Sequence, residues 1–272
     1  MIKKMIEELI GSIMTEFGTT RGLATAYLIV SALVVIMAIV CAIMSVLVWF
    51  RYSRANKHGI TNQMSGIDTC RFALDQAGLQ HVKVRKSGFI RELFFGNYYN
   101  IYTKTIYLRS VFGKIDTKQS VTSTALALQK AGIAKLCEEG DRKAVIRNRL
   151  SIIALFGPIL FIPFVIIGFV VDFFVLKTNG GIASYLGLGV GGLLLLIGLI
   201  VTFLNIPVER KGNEMALEMA RDYGMANEEE LQIMKKVFDA YIMQYICNFI
   251  LEVLRVIEWV LRVVMAFNDK KD

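Results

Sequence analysis

Few residues in this chain have the types and spacing that do chemistry. Its two histidines, His58 and His81, have 22 residues between them, so no pair at i and i+3 or i+4 can grip a metal from one helix face. The four cysteines, Cys41, Cys70, Cys137 and Cys247, contain no CxxC pair and fit neither a disulfide framework nor a zinc ribbon. Cys41 and Cys247 lie in apolar runs, where cysteine serves as a small hydrophobe. A nucleophile needs a base within hydrogen-bond reach. That leaves Thr122, Ser123, Cys70 and Cys137 as candidates, with His81 as the histidine base, because His58 sits just past the first apolar run.

The elements that would position these groups are dominated by hydrophobic runs. The 272 residues are 55% hydrophobic, and the apolar residues cluster rather than alternate, which points to an integral membrane protein. Three runs reach the roughly 20 residues that a bilayer core requires: 25–50, 151–176 and 183–206. A fourth, 240–267, is interrupted by charge and carries a polar stripe of Gln244, Asn248, Glu252, Arg255, Glu258 and Arg262. It either spans with the stripe against other helices or lies in the interface. Residues 1–24 read as an amphipathic N-terminal helix rather than a cleavable signal. Arg51, Arg54 and Lys57 follow the first run, and Lys143, Arg147 and Arg149 precede the second. The positive-inside rule therefore predicts that 51–150 and 207–239 face the cytoplasm, with the N-terminus outside. Within the runs, Pro158 and Pro163 predict kinks, and Asp172 is expected to reach the interface. Gly187 and Gly191 are spaced for close helix packing between the second and third runs.

The polar segment 51–150 reads as a small α+β domain. Ser65 and Gly78 bracket a helix over 66–77. "HVKVRK" and "NIYTKTIYLRS" alternate as strands, and "ELFFGNYY" between them reads as an aromatic turn or loop whose Phe94 and Phe95 could meet the membrane surface. The stretch "VTSTALALQK", 121–130, is a well-formed helix without His, Asp, Glu or Cys. After the third run come two cytosolic helices; Gly224 ends the first, and Asn227 with Glu230 forms a capping box for the second. The fold class is thus a mainly α-helical membrane protein with three to four transmembrane helices and a cytoplasmic α+β domain.

The order of "ALDQAGL", "YTKTIYLRS", a helix, two apolar runs, "PVE", "ALEMARDYG…EEEL…KKV" and an apolar C-terminal helix resembles the YugP-like family of neutral zinc metallopeptidases of bacterial membranes, over about 50–265. That resemblance implies an HExxH helix after the "TKT" strand, with two zinc-binding histidines and a general-base glutamate, and a further acidic ligand near "PVE". Here the HExxH is missing. Aligned on "ALQKA", the three key positions fall on Thr122, Ser123 and Leu126; aligned without gaps from the "TKT" strand, they fall on Leu126, Ala127 and Lys130. Glu209 stands in the "PVE", with Lys211 where the family tends to have an acid.

The expected function is a catalytically inactive relative, with no catalytic residues and the family's zinc lost. It would serve as a binding or scaffolding subunit for a membrane protein or peptide, an active homologue among the candidates. An alternative is a membrane hydrolase or peptidase with a different active site. A further alternative is a basic module on anionic lipid: 51–150 holds 18 Lys and Arg against 7 acidic residues, with Arg51, Arg54, Lys57, Lys143, Arg147 and Arg149 as the candidate lipid-facing bases. No nucleic-acid motif accompanies the net charge of +8, so nucleic acid is not expected as a partner.

Overall fold

A computed structural model describes residues 2–177 and 181–268. It is mainly helical: α1 (Ile2–Phe17), α2 (Arg21–Ala55), α3 (Gly66–Gln76), α4 (Phe89–Phe95), α5 (Val121–Glu138), α6 (Arg142–Val170) with a π-helical extension (Val171–Leu176), α7 (Ile182–Asp222) and α8 (Glu228–Asn268). Three short strands, β1 (Lys83–Lys86), β2 (Tyr98–Asn100) and β3 (Thr105–Leu108), form a sheet of order β1-β3-β2. The β1–β3 pair is parallel and the β2–β3 pair antiparallel.

The chain forms two compact units, residues 1–45 with 246–272, and residues 46–245. In the first, Arg21 pairs with Glu7 at 2.7 Å. Cys41, Cys247 and Leu251 form a small apolar cluster with Val34, Met37, Ala38 and Met44. Two members of the polar stripe of α8 meet α2: Glu258 accepts from the Ser31 hydroxyl at 2.9 Å, and Arg262 lies over the Tyr27 ring.

In the second unit, local signals read as predicted. The Ser65 hydroxyl caps α3 by accepting from the Asp68 amide, and Gly78 at φ +73° ends the turn that follows. Asn227 and Glu230 make the reciprocal bonds of a capping box. The "ELFFGNYY" stretch is not a loop. Its first half belongs to α4 and its second to β2, because Glu92, only 2% exposed, anchors the helix by accepting the backbone amides of Ser110, Val111 and Phe112. The core joins Leu74, Tyr99, Ile106, Leu108, Ile115, Leu128, Ile133, Met225, Met234 and Phe238.

Two helices among the described residues, α2 and α7, are long and apolar enough to cross a membrane, where the sequence runs gave three to four. The second run is described as apolar helix only over Ile166–Leu176, and charge interrupts the run in α8. The Pro158 expectation falls on a side chain outside the described residues, and α6 continues through Pro163 as helix. Asp172 does not reach outward. It is 1% exposed and accepts from the amides of Ala183 and Ser184, capping the first turn of α7. A Cβ on Gly187 would fall 2.4 Å from the Phe164 carbonyl oxygen, so α6 and α7 pack as closely as the small-residue spacing predicts.

Candidate functional site

Helix α5 begins where the Ser120 hydroxyl accepts from the Ser123 amide. Sixteen of its 18 residues are buried, so it is enclosed on every side rather than along one stripe. That explains its composition: Ala, Gly, Ser and Thr let neighbouring helices and the sheet approach. The contact with α7 is close at Gly132, where an added Cβ would lie 3.0 Å from the Gly212 carbonyl oxygen.

The residues matched to the family's metal helix take different roles. Thr122 and Ser123 are fully buried, and their hydroxyls donate to the carbonyls of Tyr52 at 3.2 Å and Ile115 at 2.8 Å. These are packing hydrogen bonds to backbone. Leu126, Ala127 and Lys130 lie further along, also buried. Lys130 points at Glu209, with its ammonium 3.3 Å from both carboxylate oxygens. On the other side Arg147 donates to the same carboxylate.

Glu209, Lys130 and Arg147 therefore form a triad of one anion and two cations, with Glu209 and Lys130 buried and Arg147 partly so. Burial disfavours the charged form of Glu209, yet the two cations outweigh it and hold its pKa below the usual glutamate value. Burial, helped by Arg147, pushes the Lys130 pKa down, opposed by Glu209. Asn205, Glu209 and Asn213 line one face of α7 at i, i+4 and i+8. Asn205 accepts from Arg147 at 2.7 Å, and Asn213 accepts from Gln129. The ladder was not read from sequence, although the four-residue spacing of Asn205, Glu209 and Asn213 beside an apolar run was a visible signal. Arg147, grouped by sequence with lipid-facing bases, turns inward with a side chain only 14% exposed. Its position in the chain reports charge near a run, not the direction of the guanidinium. Arg51, Arg54, Lys57, Lys143 and Arg149 are exposed.

His81 is not brought to a nucleophile. Its Nε2 lies 2.9 Å from Glu138, which also accepts from Tyr99 and Lys104 at 2.7 Å each. Glu138 at the end of α5 thus collects one donor from just before β1, one from β2 and one from just before β3. Burial opposes its ionisation, but the bonds from Lys104, Tyr99 and His81 hold its pKa at about 2. Cys70 and Cys137 are buried, and desolvation pushes each thiol up to about 12. A thiol so raised is a poor nucleophile at neutral pH.

The zinc that the family resemblance implies does not fit the donors at Glu209. An ammonium and a guanidinium hold the carboxylate, and neither cation offers Zn²⁺ a lone pair while protonated. Among the described residues no group of three His, Cys, Asp or Glu side chains could hold a metal ion.

No curated protein and no solved structure matches the chain. A family model described as "Putative neutral zinc metallopeptidase" matches residues 29–264. With its helix after the sheet, its buried glutamate on the long α7 and a match that runs through nearly all of α2 to α8, the chain belongs to that family of neutral zinc metallopeptidases.

Proposed function

We propose that this chain is a non-catalytic, membrane-embedded member of the family that acts as a binding or scaffolding subunit for another membrane protein or peptide. The observation that carries the reading is the triad: Glu209, the one acid matched to a family ligand, is committed to Lys130 and Arg147. In the ungapped register Lys130 stands where the second histidine would be, and its ammonium supplies positive charge opposite Glu209. A fixed cation can balance a buried carboxylate, but it cannot activate water as a bound metal does. The membrane part of the reading is supported by α2, whose Ile29, Leu33, Ile36, Ile39 and Ile43 are exposed and have no place in water.

A partner segment has an edge to bind. β1 is one border of the sheet, and its Lys83, Arg85 and Lys86 are exposed. An extended acidic segment could add there by backbone hydrogen bonds. The alternative hydrolase reading lacks a dyad, since His81 bonds to Glu138 rather than to Ser123, Thr122, Cys70 or Cys137.

Elemental analysis of the full chain, purified in mild detergent with zinc supplied, tests inactivity. Zinc well below one per chain is expected; a chelation-resistant ion near one per chain would overturn it. Cross-linking in intact membranes tests scaffolding. The same membrane protein or peptide should be captured repeatedly, and its capture should fail when Lys83, Arg85 and Lys86 are replaced by Glu. Recovery of no specific partner would sink the scaffold.

A further inference from the structure

A cleft of about 500 Å³ opens in the larger unit between the end of α2 and the start of α8. Its rim carries Arg51, Arg54, His58 and Lys236, with Glu229 as the one acid. Its floor is apolar, formed by Ala55, Ile233 and Val237.

Three cations of this cleft hold no carboxylate among the described residues and are available to an anion. Elsewhere on the surface Arg71, Lys104 and Lys211 each have a carboxylate within 2.7 Å. Among the described residues Arg51, Arg54 and Lys236 make no ion pair. Arg51 donates once, to the Lys236 carbonyl at 3.2 Å, which holds its guanidinium across the cleft and leaves further N–H groups free. Arg51, Arg54 and His58 recur at intervals of three and four, so they share one side of the chain as it leaves α2. Fork-shaped guanidinium donors beside an ammonium match the oxygens of a phosphate group.

The depth of the cleft selects among phosphates. Directly before Arg51, Trp49 and Phe50 are 61% and 59% exposed. Exposed aromatic side chains at the end of an apolar helix mark the membrane–water interface. The cleft begins within one turn of them, at headgroup level, and Val46 and Leu47 above it are exposed and apolar. A ligand with a phosphate at one end and hydrocarbon at the other would fill both.

We infer that this cleft is a binding site for the phosphodiester headgroup of an anionic phospholipid, with the acyl chains lying along the α2 surface at Val46 to Phe50. The inference rests on the reading that α2 crosses a membrane. It differs from a diffuse basic surface in naming three cations that count and three that do not.

The test uses the full chain reconstituted in vesicles and in mixed micelles. Carbonate washing of zwitterionic vesicles reads the crossing alone: a spanning chain stays with the lipid, and release would remove both the crossing and the site. Lipid retained through purification from micelles of equal phosphatidylglycerol and phosphatidylcholine reads the cleft. We expect phosphatidylglycerol to be enriched at least about tenfold. The enrichment should fall several-fold in Arg54→Gln, which removes a side chain without a protein hydrogen bond, and vanish in Arg51→Gln/Arg54→Gln/Lys236→Gln. Lys57→Gln/Lys143→Gln/Arg149→Gln removes the same charge elsewhere and should keep it. Equal retention of both lipids, or equal loss in the two triple variants, overturns the site while leaving the crossing intact. Displacement of the lipid by millimolar glycerol phosphate would identify a small soluble phosphate as the ligand and overturn the lipid assignment.

Discussion

The Lys130 ammonium on α5 lies 3.3 Å from both oxygens of the Glu209 carboxylate on α7, across a helix contact where a Cβ on Gly132 would crowd the Gly212 carbonyl at 3.0 Å. These two helices are joined by charge.

The triad is asymmetric, and its members should not be equally costly to lose. Glu209→Gln leaves Lys130 and Arg147 buried without an anion and should destabilise by about 3–5 kcal/mol. Lys130→Met keeps the Arg147–Glu209 pair and should change stability by about 1 kcal/mol or less, in either direction. Thermal unfolding in mild detergent separates the two. Equal losses would mean that the triad is not the stabilising unit described.

The two candidate registers of the metal helix give different engineered proteins. Leu126→His, Ala127→Glu and Lys130→His together place two imidazoles on the face of α5 that meets Glu209, and this variant should gain about one zinc per chain. Thr122→His, Ser123→Glu and Leu126→His should gain none, because Thr122 faces the Tyr52 carbonyl instead. Zinc uptake by the second set and not the first would reverse the assignment.

Glu138 predicts an acid-sensitive fold. Its pKa is depressed in the folded chain, from 4.5 to about 2. Its contribution is therefore fully present above the unfolded value and is lost as pH falls from about 4.5 toward 2. The stability difference between the native chain and Glu138→Gln should be about 1–3 kcal/mol at pH 6 and should shrink steadily below pH 4. A difference that does not vary with pH would show that the carboxylate is not held by charge.

Cys70 and Cys137 should resist alkylation. With both thiols buried and raised to about 12, iodoacetamide at pH 8 should label neither in the folded chain and both after denaturation, read by mass spectrometry. Rapid labelling of either in the native state would reopen the search for a cysteine nucleophile.

What could be read in the sequence was local. Ser65 before α3 and the Asn227–Glu230 box before α8 announce themselves within four residues, and the alternation of "HVKVRK" and "NIYTKTIYLRS" points to strands, of which 83–86 and 105–108 are strand while 101–104 is turn. Helix α4 was hidden because seven residues, mostly aromatic and aliphatic, have no helical stripe; what fixes it is the Glu92 bond to amides about 20 residues away. The site was hidden for the same reason on a larger scale. Lys130 and Glu209 are 79 residues apart, and nothing near either announces the other. Asp172 was expected to reach the interface, because nothing near it in sequence shows the amides of Ala183 and Ser184 that it caps.

Helix α7 runs unbroken for 41 residues, about 60 Å at 1.5 Å per residue. Its first part is the apolar run, and its second carries the Asn205–Glu209–Asn213 ladder. Pro207 lies within the ladder, between Asn205 and Glu209, where its ring removes a hydrogen bond and loosens the rod at one point. That point lies two residues from Glu209. Any bending of α7 at Pro207 would be felt first in the distance between Glu209 and its two cations.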